Sequence, residues 1–146
     1  MQKFSRDSFN VNEAIKELMH ESGVIVIENA YNLNDIKEAR EIVNHFADTE
    51  EQKETHFNAE AEASKQIKLQ QRIWNLFGKG DIFSKLISDD IIFSLMSKLL
   101  GSEFFCGSYC GSRLLPGSLG QELHIDYPYW DFYNSETFPM GLNSSF

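Results

Sequence analysis

Apolar residues Val11, Ala14, Ile15, Leu18 and Met19 recur at the spacing of one helix face. Asn10 precedes them with Glu13 three places on, the arrangement of a capping box, and Gly23 follows where a left-handed residue would end the turn. The pattern predicts a first helix between these signals. Val24-Ile25-Val26-Ile27, running on into Glu28-Asn29-Ala30, reads as a buried strand. Ile36, Ala39, Val43 and Phe46 then mark a second amphipathic helix that begins near Asn34. The amino-terminal third is therefore expected to run helix, strand, helix.

From Asp48 to Gln66 the chain is acidic and nearly free of large apolar side chains, so it is expected to add little to a core. Residues 48–66 read as a surface excursion, either an exposed helix or a lid. Ile67 to Phe77 has strand-like aromatic and β-branched content, and Gly78-Lys79-Gly80 signals a turn after it. Two short helices are expected to follow. Ile91, Ile92, Leu95, Met96, Leu99 and Leu100 form a helical stripe that reads as core, and Gly101 supplies its stop. Beyond Gly101 the texture becomes aromatic and glycine-rich, with Pro116-Gly117 as a turn between two strand-like runs, so antiparallel sheet is expected. The order of elements predicts an α+β fold.

Composition narrows the function classes. A chain of 146 residues, 42% apolar and 24% charged, fits one soluble globular domain, 1–146. Its net charge is −9 and no basic cluster could track a phosphate backbone, which argues against a nucleic-acid partner. Val24–Ile27 is the longest aliphatic run, far short of a membrane span, and the amino end lacks the apolar stretch of a secretory signal. The expected location is the cytoplasm, with no membrane partner. Cys106 and Cys110 lie in what reads as a strand, which would separate their Cα atoms by about 13 Å, beyond disulfide reach. Both are expected to be reduced packing residues.

The candidate chemistry is in Gly120–Trp130, Gly-Gln-Glu-Leu-His-Ile-Asp-Tyr-Pro-Tyr-Trp, which holds the only His-x-Asp of the chain. On a strand, residues i and i+2 share a face about 6.8 Å apart, so the His124 imidazole and the Asp126 carboxylate can converge on one cation. That donor pair suits ferrous iron when a third ligand completes a triangular face and the opposite face stays open. Four His and eight Asp in random order would give roughly 0.2 such triplets per chain, so the triplet alone is weak evidence. Its setting adds to it. The triplet follows a Pro-Gly turn, and Tyr127, Tyr129 and Trp130 around it could wall a pocket. The residues alone leave a metal site and a simple His–Asp pair both open.

Several stretches in order resemble the phytanoyl-CoA dioxygenase family of iron- and 2-oxoglutarate-dependent oxygenases. They are Glu21–Asn32, Arg72–Gly101, Leu114–Trp130 and Phe138–Asn143, and together they cover nearly the whole chain. Most specific among them is Gln121-x-x-His124-x-Asp126-x-x-Tyr129. The resemblance implies an iron(II)/2-oxoglutarate-dependent dioxygenase that hydroxylates a small-molecule substrate. It also implies a fold of N-terminal helices packed on a double-stranded β-helix, the jelly-roll or cupin-like architecture. By the same resemblance His124 and Asp126 are the first two iron ligands. Arg72 falls where members carry a basic residue for a 2-oxoglutarate carboxylate, and Gln121 lies where it could touch cosubstrate or substrate.

Family members continue past the segment like Phe138–Asn143 with strands that supply a second iron-binding histidine and a basic residue for the far carboxylate. No His follows Asp126 here. The β-helix is thus expected to be partial and the chain to be the N-terminal portion of a longer protein, of doubtful activity by itself. His20, His45 and His56 are poor substitutes for the third ligand, because a facial triad needs donors held by rigid neighbours. A non-catalytic binding or scaffolding module built on the same fold is the alternative reading. A sheet cut short would leave unpaired edges, so self-association is expected.

Overall fold

The computed structural model describes residues 1–51 and 69–118. They form helices and two small two-stranded sheets, an α+β arrangement, and gather into two compact units. Among the described residues no helix is long and apolar enough to cross a membrane.

One unit takes in Met1–Asn32 and Leu86–Phe105. It opens with a strand that hydropathy did not predict, β1 (Gln2–Ser5), paired in parallel with β2 (Ile25–Glu28) so that Phe4 lies opposite Ile27. The helix α1 (Val11–His20) makes the crossover between them. Phe4, Ala14 and Leu95 are the buried centre, and Phe9, Val11, Ile15, Leu18, Ile25, Ile27 and Ile91 pack on it. β2 was expected to be buried, yet Ile25, Val26 and Ile27 are only half-buried. Among the described residues the sheet is a two-stranded ribbon, in which each strand has one neighbour.

The ends of α1 follow the sequence signals. Asn10 Oδ1 accepts hydrogen bonds from the backbone N–H groups of Asn12 (3.0 Å) and Glu13 (3.3 Å), and Asn10 Nδ2 returns one to Glu13 Oε1 (3.5 Å). At the other end Gly23, at φ +73°, donates to the Glu17 carbonyl. Asn10→Ala should lower stability by about 1 kcal/mol, read as a shift of the urea midpoint with unchanged slope.

The stripe from Ile91 to Leu100 forms α4 (Asp90–Leu100), with Leu95 and Leu99 buried, and ends at Gly101, φ +86°. Asp89 has two roles there. Its Oδ1 caps the Ile91 N–H at 3.0 Å while its Oδ2 pairs with Arg6 Nη1 at 2.7 Å. The same guanidinium nitrogen donates to the Ala30 carbonyl at 2.6 Å, so one arginine ties the segments after β1 and β2 to the start of α4.

The other unit takes in the described parts of Leu33–Lys85 and Cys106–His124. Its sheet pairs β3 (Gln70–Ile73) with β4 (Gly111–Leu114) antiparallel, Arg72 opposite Ser112 and Gln71 opposite Arg113. The strand expected from Ile67 to Phe77 ends early because Asn75 adopts a left-handed backbone, φ +55°, and a 3₁₀ turn, Leu76–Gly78, follows. The helix α3 (Asp81–Ile87) comes next, with Ile82 and Phe83 buried.

The helix α2 (Leu33–Thr49) packs on one face of this sheet. Gln71 Nε2 donates to the Ala47 carbonyl at 3.2 Å, and a Cβ on Gly111 would come within 3.1 Å of Val43, so a larger residue there would require the Val43 side chain to give by a few tenths of an ångström. Asp48 and Thr49 form the exposed last turn of α2, held by the Asp48–Arg113 ion pair and a 2.8 Å bond from Thr49 Oγ1 to the His45 carbonyl. One expectation is corrected here. Cys106–Cys110 is not a strand, since β4 begins only at Gly111; both thiols are free. The rest of the acidic stretch, from residue 52 onward, lies outside the described residues.

Candidate functional site

Of the four residues expected to make the site, Arg72 is described; Gln121, His124 and Asp126 lie outside the described residues. Alternation along the strands decides where Arg72 is. Gln71, Ile73, Gly111 and Arg113 occupy the face on which α2 packs, which leaves Gln70, Arg72, Ser112 and Leu114 on the opposite face. Arg72 is half-buried there. Its Nη1 donates to Ser112 Oγ at 3.1 Å and to Cys110 Sγ at 3.2 Å. Two residues along, the Trp74 ring centre is 5.6 Å from the guanidinium carbon, within cation–π range. A hydroxyl, a thiol and an aromatic ring are thus among the groups that orient the guanidinium.

From this sheet the chain leads directly to the expected metal ligands. The Leu115 N–H donates to the Leu69 carbonyl at 2.8 Å, and a β-turn closes with the Ser118 N–H on the Leu115 carbonyl at 3.1 Å. Gly117 takes φ +91° at the third position of that turn, a conformation that favours glycine. The predicted Pro116-Gly117 turn is thus present. His124 follows Ser118 by six positions.

The other histidines within the described residues have ordinary settings. His20 is the exposed last residue of α1, and His45 lies exposed on α2 with its ring edge-on to Phe46 at 5.2 Å. Among the described residues no three His, Cys, Asp or Glu side chains come together as a metal site.

Sequence reasoning passed over Arg113, on the helix-facing side of β4. Its Nε donates to Gln71 Oε1, its Nη1 reaches the Asn44 carbonyl (3.5 Å) and Oδ1 (3.4 Å), and its Nη2 pairs with Asp48. The Arg113 hydrogen bond holds the Asp48 carboxyl below its ordinary range. Nothing in Gly-Ser-Arg-Leu signals this clasp, because it exists only where the face of α2 meets β4.

A carboxyl depressed in the folded state contributes stability that is present above the unfolded value, about pH 4, and lost as the pH falls through the lower folded value. Asp48→Asn should therefore reduce stability at neutral pH. The difference from wild type should vanish in acid, as thermal melts at pH 7 and pH 2.5 would show. Because Asp48 is exposed, added salt should also shrink it.

No protein-family model, curated protein or solved structure matches this chain.

Proposed function

We propose that this chain carries the iron and 2-oxoglutarate contacts of a phytanoyl-CoA dioxygenase-type oxygenase, on a jelly-roll, acting on a small-molecule substrate. One observation carries the reading: Gln121-x-x-His124-x-Asp126-x-x-Tyr129 follows β4 after a single turn, while Arg72 stands on the strand paired with β4. The sheet that holds the candidate carboxylate anchor is thereby continuous with the peptide that holds the candidate ligands.

The donor chemistry fits the group. One imidazole and one carboxylate at i and i+2 suit a ferrous ion, and a guanidinium suits a dicarboxylate through charge-assisted hydrogen bonds. When bound, iron and 2-oxoglutarate supply the oxidation: dioxygen is consumed, 2-oxoglutarate leaves as succinate and carbon dioxide, and one oxygen atom enters a substrate C–H bond. In this scheme His124 and Asp126 donate to the metal, Arg72 pairs with a cosubstrate carboxylate, and Gln121 contributes an amide beside them. Tyr127, Tyr129 and Trp130 exclude water from the site.

Anaerobic titration with ferrous ion tests the reading. One ion should bind per chain, and 2-oxoglutarate should tighten binding because it adds donors to the same metal. Ferrous affinity unchanged by 2-oxoglutarate would overturn the proposal.

A further inference from the structure

We draw no further inference here: the strongest candidate, the aromatic surface patch of Phe93 on α4 and Phe104 in the segment after it, with ring centres 5.5 Å apart, carries none because nothing in the structure shows what covers it.

Discussion

Replacing His124 or Asp126 with alanine should weaken ferrous-ion binding by roughly a hundredfold or more. The size follows from the kind of contact removed. Loss of a partner that merely orients a metal ligand commonly costs roughly 10- to 100-fold in affinity, so loss of a donor atom itself should cost at least that. The two substitutions should be non-additive. Once one ligand is gone, the remaining one has little metal to lose, and the double variant should resemble either single variant. Asp126→Asn is the sharper probe, since it keeps the shape and removes the negative charge that a facial-triad carboxylate offers a ferrous ion. Isothermal titration under anaerobic conditions reads wild type and the four variants. Equal affinity in wild type and His124→Ala would remove the histidine from the site.

Phe83→Ala should cost about 3–5 kcal/mol of folding stability, the largest effect expected from any substitution among the described residues. Phe83 is 1% exposed and meets Tyr109 edge-on, with ring centres 6.0 Å apart. Tyr109 in turn receives the Leu76 N–H on its carbonyl at 3.2 Å, so the cavity would open beside the contact that ties the 3₁₀ turn to the segment before β4. A domain of this size has about 5–15 kcal/mol in all, so the variant should unfold at a much lower urea concentration. Phe105→Ala is the matched control. That ring is 85% exposed, and its removal should change stability by about 0.5 kcal/mol or less. Equal urea midpoints for the two variants would show that Phe83 does not anchor this unit.

Much of the helical framework was legible because its signals are local. The Asn10 cap, the Gly23 and Gly101 stops, the stripe from Ile91 to Leu100 and the Pro116-Gly117 turn each depend on neighbours a few positions away. β1 was not legible. Gln2-Lys3-Phe4-Ser5 carries a single apolar side chain toward the core, and its partner β2 lies beyond a whole helix. Such a strand is defined by long-range pairing, to which periodicity is blind. Cys106–Cys110 erred in the opposite direction: aromatic and small residues suggested a strand, yet the ladder with β3 starts only at Gly111.

At the candidate site, the family resemblance could mark Arg72 as a residue of interest but not assign it a face. Its surroundings depend on the register that sets Arg72 opposite Ser112 and on α2 occupying the other side of the sheet. Arg113 shows the same limit. Two arginines on neighbouring strands look alike in sequence, and the position of α2 makes one a structural clasp and puts the other on the opposite face of the sheet.

The central claim is that His124, Asp126 and Arg72 belong to one site, and manganese as a paramagnetic stand-in for ferrous ion tests it most directly. Substoichiometric manganese added to ¹⁵N-labelled protein should broaden the Arg72 Nε–H resonance, and the broadening should disappear in His124→Ala and in Asp126→Ala. An Arg72 resonance that stays sharp at saturating manganese, or that broadens equally in the two variants, would contradict the account.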